Sequence, residues 1–333
     1  MIARQPFEAG NPECKVSTVS KIGPLLLIPE YHERVWGGQR LRPSANPIGE
    51  AWIVYERNRV ASGPEEGRTL AELADRFGRD LLGSRALDAT GLRFPLLIKL
   101  LDAAEWLSLQ VHPNNEQARC LEGEQHFGKT EAWHILEAEP GARVISGLRQ
   151  GTTRDDLATA LRAGTILDLV HYCEVKAGDT IFTAAGTIHA LGPGLLLYEV
   201  QQTSDLTYRV WDWNRPLTAG RELHVEKSLE VSDLDACGEA VPAPNLGDGA
   251  RLRLCGCAFF QVDLVHSHAE PVPLDTAGET FHAVTIVEGT AEVSGAGWSH
   301  ALNRFETLLV PAATGAYEVR PRGRVRGLVA SVE

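Results

Sequence analysis

The hexapeptide SLQVHP at residues 108–113 decides the fold and contains two candidate metal ligands. Two further strings, KTE at 129–131 and GTIH at 186–189, add a carboxylate and a second imidazole. Each string lies in an apolar-flanked run that is typical of a strand. Side chains two residues apart on a strand point the same way, so Gln110 and His112 share one face. If the strands converge, they form one pocket that contains a metal ion and fixed positive charge.

The overall composition is that of a globular protein with no affinity for nucleic acid. Of the 333 residues, 44% are hydrophobic and 23% are charged, and 32 glycines and 18 prolines suit a turn-rich β architecture. The net charge of -12 argues against nucleic acid as a partner, because its phosphates require a clustered basic surface. A phosphate group on a small substrate must therefore be bound by a local group of Lys and Arg.

The cysteines and the hydropathy pattern favour a cytoplasmic protein without a membrane partner. The six cysteines form no CxxC pair, and a chain of this length has a core of its own, so we expect reduced thiols. No apolar run reaches the length of a membrane-spanning helix. Residues 1–14 lack the apolar core of a signal peptide.

Local signals predict a few helices among many strands. Thr69, with a glutamate three residues later, has the spacing of a capping box and starts a helix. A short helix is expected over 114–121, and another that begins at 153 is ended by Gly164. Residues 132–136 and 142–146 are expected to be paired strands around a turn at 139–141. From residue 170 onward the pattern is that of short strands.

Six strings together make this chain resemble the type I phosphomannose isomerases, which are zinc-dependent enzymes of the cupin superfamily, and most of all their short bacterial form. The resemblance covers about 29–229, with a looser cupin-like match over 281–319. Any one string is short, but all six occur in the family's order and approximate spacing. The strings are WGG (36–38), FPLLIK (94–99), SLQVHP (108–113), GKTEAW (128–133), GTIHA (186–190) and EVQQTSDLTYR (199–209).

The resemblance implies a mainly β fold. The expected architecture is a cupin-like β-sandwich or jelly-roll catalytic domain with a few helices, followed by a second β-sandwich. Residues 233–250 have little periodicity and are the best linker candidate. The expected parts are a loose extension over 1–20, the catalytic domain over 21–232, the linker over 233–250 and a jelly-roll-like domain over 251–333.

The resemblance also implies specific site residues. One Zn²⁺ per chain would be bound by Gln110, His112, Glu131 and His189. Ser108 and Lys129 would contact the phosphate of the substrate, and Lys129 would also take part in catalysis. Arg209 would be a functional arginine that binds substrate, and Glu199 would lie near the reacting carbons as a catalytic group.

The residues alone leave other interpretations open. An alternative interpretation of Gln110 is an ordinary polar strand residue. An alternative interpretation of Glu131 is the ion-pair partner of Lys129. Arg209 reads either as an edge residue that reaches solvent or as a ligand of an anion. Glu199 is equally a general base or a support for a neighbouring group.

Lys99 interrupts an apolar strand, so it either binds substrate or forms a structural salt bridge. His134 and Arg215 are further pocket candidates.

The implied activity is the interconversion of mannose 6-phosphate and fructose 6-phosphate. A proton would move between C1 and C2 through an enediol, with a metal and a general base assisting. The alternatives are another cupin metalloenzyme, such as a dioxygenase, and a non-catalytic sugar-binding regulatory module. The only partner expected is a phosphorylated sugar, and we expect a monomer or a weak homodimer.

Overall fold

The computed structural model describes residues 21–216 and 221–333, so the extension expected over 1–20 lies outside the described residues. Within these ranges the strands form four antiparallel sheets, of seven, six, five and four strands. The mainly β class expected from the sequence is confirmed. No helix in the described ranges is long and apolar enough to cross a membrane.

The first part of the chain contains twelve strands and four of the α-helices. The strands are β1 (Leu25–Leu26), β2 (Glu30–Gly38), β3 (Ile48–Val54), β4 (Leu96–Ala103), β5 (Leu109–Val111), β6 (Glu131–Ala138), β7 (Arg143–Leu148), β8 (Val170–Glu174), β9 (Asp179–Thr183), β10 (His189–Leu191), β11 (Leu195–Gln202) and β12 (Tyr208–Trp211). The helices are α1 (Leu70–Phe77), α2 (Arg79–Thr90), α3 (Asn115–Glu122) and α4 (Arg154–Ala163).

The rest of the described chain contains helix α5 (Val225–Val231) and ten strands. These strands are β13 (Ala240–Pro242), β14 (Ala250–Gly256), β15 (Gln261–Ser267), β16 (Val272–Asp275), β17 (His282–Glu288), β18 (Ala291–Gly295), β19 (Trp298–Leu302), β20 (Thr307–Val310), β21 (Ala316–Pro321) and β22 (Val325–Ser331).

The first sandwich packs a seven-stranded sheet against a five-stranded one. The strand orders are β13-β9-β6-β11-β4-β2-β3 and β12-β5-β10-β7-β8. Their inner faces share an apolar core that includes Trp133 and Leu197 of the larger sheet and Val144 and Leu191 of the smaller. Because β4 and β11 are buried along their whole length, a polar side chain on either strand needs a partner inside the protein.

The second sandwich lies against the outer face of the seven-stranded sheet. It pairs a six-stranded sheet (β1-β20-β17-β22-β15-β14) with a four-stranded one (β16-β21-β18-β19). The core between the two sandwiches joins Ile98 and Val200 of the first to Phe281 and Leu328 of the second, together with helices α1 and α2. Burial of apolar side chains, at about 25 cal/mol per Å², therefore holds the two sandwiches together.

The helix boundaries follow the expected local signals. Thr69 caps α1 in a complete capping box with Glu72. Helix α3 begins within one residue of the expected start, and its capping box is formed by Asn114. Gly164 ends α4 in the left-handed conformation that glycine adopts without strain.

One expected strand pairing is wrong. Strands β6 and β7, which flank the turn at 139–141, do not pair with each other. Strand β6 pairs with β9 and β11 in one sheet, whereas β7 pairs with β8 and β10 in the other. The turn is therefore a corner that leads from one layer of the sandwich to the other. Gly141, with φ of 80°, makes this sharp reversal without the clash that a Cβ would cause.

Two short strands connect the expected parts of the chain. Strand β13 lies within 233–250 and forms the edge of the seven-stranded sheet beside β9. Strand β1, near the start of the described chain, pairs with β20 of the second sandwich. The division into a catalytic domain, a linker and a C-terminal domain stays a prediction.

Candidate metal centre and substrate cavity

Three neighbouring strands of the five-stranded sheet place three candidate residues in one row. Gln110 of β5 lies opposite His189 of β10 on one side and opposite Arg209 of β12 on the other. Directly opposed residues on antiparallel strands point to the same face of a sheet. The row therefore runs from a histidine, through an amide, to an arginine across the inner face of the sandwich.

The seven-stranded sheet contributes the opposing row. Lys99 of β4 lies opposite Glu199 of β11, and Glu131 of β6 lies opposite Gln201 of β11. Lys99, Glu131 and Glu199 are all buried. The charged side chains of one sheet therefore face the histidine, the amide and the arginine of the other.

Backbone hydrogen bonds tie the sequence strings to one another. The amide of Gly186 donates to the carbonyl of His112 at 2.8 Å, and the amide of Lys129 donates to the carbonyl of Pro113 at 3.0 Å. Gly186 has φ of 90°, a conformation that favours glycine. These bonds fix the strings GKTEAW and GTIHA on either side of SLQVHP.

Both buried histidines are oriented by their Nδ1 atoms. The Nδ1 of His112 lies 2.8 Å from the carbonyl oxygen of Leu206, and that of His189 lies 2.8 Å from the carbonyl oxygen of Thr187. A carbonyl only accepts, so Nδ1 carries the proton in each ring and Nε2 carries the lone pair that can bind a metal. Metal-binding histidines are commonly held in this way.

The carboxylate of Glu131 lies between the two imidazoles. Its oxygens are 3.3 Å from Nε2 of His189 and 3.7 Å from Nε2 of His112. Lys129 Nζ is 3.0 Å from one of these oxygens and also 3.0 Å from Nε2 of His112. Despite this contact, neither oxygen of Glu131 has a hydrogen bond of acceptable geometry within the described residues, and the same is true of Nε2 of His189.

The protonation states of this cluster suit a metal ion. Burial, followed by the charge of Lys129, holds the pKa of His112 well below its usual range, and burial also lowers the pKa of His189. Burial opposes the charge of Glu131, but Lys129 and His189 outweigh it and lower the pKa of that carboxyl. Two neutral imidazoles and one carboxylate are the forms that bind a divalent cation.

The donor set and the unpaired polar atoms together fit a divalent cation. One ligand atom from each of His112, Glu131 and His189 lies within 4.8 Å of the other two. Buried polar atoms without partners are costly in an ordinary core, so three of them facing one point indicate a binding site. Gln110 lies next to this cluster on the cavity wall.

A cavity of about 330 Å³ opens beside the cluster. Ser108, Gln110 and Lys129 line it next to the candidate ligands, and Lys99, Glu199 and Arg209 line it further along. The structure therefore brings all nine site residues expected from the sequence into one region, as three clustered ligand groups and six cavity-wall residues. Their individual roles stay predictions.

Lys99 and Glu199 form a buried ion pair in the cavity wall. Lys99 Nζ is 3.0 Å from the Glu199 carboxylate, and it lies 5.4 Å from the centre of the Trp52 ring. Burial opposes the charge of Lys99, but Glu199 and Glu50 raise its pKa. Burial raises the pKa of Glu199, which Lys99 only partly offsets. A carboxyl group with a raised pKa is suited to acid–base work.

Two lining residues, Arg34 and Glu50, were not among the expected site residues. Glu50 accepts hydrogen bonds from Arg34 Nε at 2.9 Å and from Trp52 Nε1 at 2.6 Å. Burial alone would raise the pKa of Glu50, but Lys99 and Arg34 bring it to about 2. A signal for Glu50 was present, because it is a lone charge in the apolar strand IGEAWIV, just as Lys99 is in its own strand.

His134 and Arg215 do not line the cavity. His134 is buried on β6, where its Nδ1 lies 2.9 Å from the hydroxyl of Thr180. Arg215 donates to the carboxylate of Asp212 and to the carbonyl of Trp106. Asp205, Thr207 and Arg221 complete the polar lining in their place.

Comparisons with known proteins agree with this geometry. The model of the family "Phosphomannose isomerase type I, catalytic domain" matches residues 25–134. A mannose-6-phosphate isomerase from Bacillus subtilis is 33% identical over 309 residues, which are 89% of this chain and 95% of that protein. A mannose-6-phosphate isomerase from Streptococcus mutans is 38% identical over 301 residues, which are 86% of this chain and 92% of that protein.

A crystal structure shows the same fold. The mannose 6-phosphate isomerase from Bacillus subtilis superimposes with a TM-score of 0.81 at 28% identity, and the match covers 93% of this chain and 99% of that one. The similarity thus extends over both sandwiches and includes the strands that carry the candidate site. This chain belongs to the type I phosphomannose isomerase family.

Proposed function

We propose that this protein is an aldose–ketose isomerase that interconverts D-mannose 6-phosphate and D-fructose 6-phosphate. The observation that carries the proposal is the convergence of two imidazole nitrogens and one carboxylate, within 4.8 Å, beside a polar cavity lined by five basic side chains. The relatives from Bacillus subtilis and Streptococcus mutans are both named for this activity. The coverage of both chains by each match supports the transfer of that activity to this chain.

We infer that the cation is Zn²⁺, one per chain, bound by His112, Glu131 and His189 with the amide oxygen of Gln110. Imidazole and carboxylate ligands suit zinc, and an amide oxygen is compatible with it. When bound, the cation would polarise the carbonyl and the adjacent hydroxyl oxygen of the open-chain sugar and stabilise the enediolate.

Glu199 is the proposed general base. It takes the proton from C2 of the aldose and returns it to C1, while the hydroxyl proton of O2 moves to O1. The isomerisation therefore needs no external oxidant or reductant. Because burial raises the pKa of Glu199, its carboxyl group can hold the proton between the two transfers. Lys99, at 3.0 Å, keeps the carboxylate in place and carries a charge that a sugar hydroxyl can contact.

The remaining lining residues bind and orient the substrate. Arg209 offers donors to negative charge on the sugar phosphate, and Ser108 and Lys129 offer polar contacts in the same cavity. A cytoplasmic location, which the cysteine pattern alone supports, belongs to this proposal, as does a monomeric or weakly dimeric state.

Metal removal and restoration test the function. The protein is treated with a chelator, its metal content is measured, and turnover of mannose 6-phosphate is followed by coupled detection of fructose 6-phosphate. We expect turnover to disappear with the metal and to return best with zinc. Full activity of the folded, metal-free protein would overturn the proposal, as would restored metal without turnover.

Two glutamates of strand β6 provide a matched pair of variants. Glu131 lies in the cluster, whereas the carboxylate of Glu137, on the same strand, is 42% exposed and contacts Arg304 at 2.6 Å. We expect Glu131→Gln to lose both bound metal and turnover, and Glu137→Gln to keep both. Equal metal content in the two variants would contradict the assignment of Glu131 as a ligand.

A further inference from the structure

The basic side chains that line the cavity differ in how their charges are balanced. Arg34 has Glu50 at 2.9 Å, Lys99 has Glu199 at 3.0 Å, and Lys129 has Glu131 at 3.0 Å. Each of these three cations has its own buried or half-buried carboxylate. For these three cations the charges therefore cancel in pairs, which leaves little net attraction for a dianion.

The two remaining basic residues of the lining, Arg209 and Arg221, are balanced less completely. Arg221 donates to both oxygens of Asp212, at 2.5 and 2.9 Å, and Arg215 shares the same carboxylate at 3.2 Å. Arg209 has no carboxylate within ion-pair distance among the described residues. Its only side-chain hydrogen bond there goes to the carbonyl of Glu222, at 3.0 Å. Arg215 also contacts the exposed carboxylate of Glu105 at 3.2 Å, so its charge is balanced outside the cavity. Asp212 is therefore the carboxylate that Arg209 and Arg221 have nearby.

Two of these arginines lie close together and have free donors. Burial, followed by the neighbouring charge of Arg221, lowers the pKa of Arg209. The Nε of Arg209 is buried and has no hydrogen-bond partner among the described residues. Arg221 binds Asp212 through Nε and Nη2, which leaves Nη1 for another acceptor. Like charges held together, with a buried donor unpaired, are the features of a site for an anion.

The distance from the metal cluster fits a phosphorylated six-carbon chain. Arg209 lies two strands away from His189 in the row through Gln110. Neighbouring strands are about 5 Å apart, so the two backbones are separated by about 10 Å. The reacting carbons and the 6-phosphate lie at opposite ends of an open-chain hexose, so the two ends of the cavity match the two ends of the substrate.

We propose that Arg221, held by Asp212, binds the phosphate group of the substrate together with Arg209 and sets the preference for phosphorylated over free sugar. This inference rests on the proposed function for the identity of the sugar, but not for the binding of phosphate. Arginine binds phosphate oxygens through two parallel hydrogen bonds, which an ammonium group does not reproduce. Asp212 holds the guanidinium in place and leaves one edge of it for the ligand.

The test compares Arg221→Gln with Arg215→Gln. Both substitutions remove an arginine bound to Asp212, but Arg221 lines the cavity and Arg215 does not. The dissociation constant of inorganic phosphate is measured by calorimetry, and KM and kcat are measured with mannose 6-phosphate. We expect Arg221→Gln to weaken phosphate binding and to raise KM by about tenfold to a hundredfold, with a smaller change in kcat. For Arg215→Gln, the dissociation constant of phosphate and KM should stay near the wild-type values.

The outcomes separate this inference from the proposed function. The assignment of Arg221 fails if Arg221→Gln binds phosphate as tightly as the wild type. It also fails if Arg215→Gln loses as much phosphate affinity as Arg221→Gln. If wild-type protein binds phosphate through Arg221 but does not isomerise mannose 6-phosphate, the proposed function fails and the phosphate site stands. Should Arg221→Gln not fold, Arg221→Lys tests the same point, because it keeps the charge and loses the paired donors. We expect it to bind phosphate several-fold more weakly than the wild type.

Discussion

Two buried histidines of the first sandwich differ from a buried histidine of the second in how their ring nitrogens are paired. In the first sandwich, His112 and His189 direct Nε2 towards Glu131, whose oxygens lack hydrogen bonds of good geometry. In the second, His282 is also buried, but its Nδ1 is satisfied by the hydroxyl of Tyr317 at 2.7 Å. Burial of a histidine is therefore not by itself a sign of a site. What distinguishes the first sandwich is that several polar atoms without partners face the same point.

The same contrast holds for buried carboxylates. In the first sandwich, Glu199 and its partner Lys99 are both buried. In the second, Asp263 is buried, but its partners Arg251 and Arg253 are 36% and 43% exposed. The second sandwich is typical of ordinary proteins, in which the cation of such a pair reaches solvent. The first keeps whole ion pairs out of solvent, which costs stability and is typical of functional sites.

The largest expected effect comes from replacing one buried histidine in each sandwich. We expect His189→Gln to lose the bound metal and to reduce kcat by more than about a thousandfold, because a metal ion supplies several kcal/mol of transition-state stabilisation. His282→Gln should retain both metal content and kcat. Metal analysis and turnover check this, and a metal-free but active His189→Gln variant would remove the distinction between the sandwiches.

A second prediction compares the buried ion pairs by their free energy of unfolding. Lys99→Met leaves Glu199 buried without its cation, and breaking a buried pair in this way costs about 3–5 kcal/mol. Arg251→Met should cost no more than about 1 kcal/mol, because that arginine is half-exposed and Arg253 still contacts Asp263. Denaturant unfolding of the metal-free proteins measures both values. Equal losses would show that the two environments are alike.

The smallest expected effect is a pH dependence that originates in the second sandwich. Burial lowers the pKa of His282 from 6.5 to about 4 in the folded protein. Between these values the unfolded chain binds a proton that the folded protein does not, so stability falls as the pH falls from 6.5 to 4 and rises as the pH increases. The contribution of His282 is at most about 3 kcal/mol, because one pKa unit corresponds to about 1.4 kcal/mol.

Two variants isolate this contribution. His282→Gln should reduce the slope of unfolding free energy against pH between 6.5 and 4 by the contribution of one group, whereas the part due to His134, whose pKa burial also lowers to about 4, should remain. His171→Gln, at an exposed position on β8, should keep the wild-type slope. If His282→Gln has the same slope as the wild type, His282 is not the group responsible.

The sequence predicted which residues lie together around the cavity more completely than it predicted how the strands pair. His112, Glu131 and His189 are polar residues in short apolar strings, so their inward orientation follows from the two-residue repeat of a strand. The sequence did not identify the ion-pair partner of Lys99, which is Glu199. The pairing register that brings Glu199 opposite Lys99 depends on a strand a hundred residues away, and no local pattern specifies it.

The errors have the same physical origin. The turn at 139–141 has the composition of a hairpin, but a turn between two layers of a sandwich uses the same residues. Arg221 was missed because it lies in a segment without periodicity, and only its bond to Asp212 places it in the cavity. The chemical character of a short segment can be predicted from the sequence, whereas the contacts between distant segments are known only from the folded structure.

The pairing of β1 with β20 has a consequence for the synthesis of this protein. Leu25 and Leu26 pair with Leu309 and Leu308, which lie more than 280 residues later in the chain. During translation these leucines leave the ribosome long before their partners exist, so the six-stranded sheet is completed only after β20 and β22 have been made. A prematurely terminated chain would expose an unpaired apolar edge, which marks it for chaperones or proteolysis.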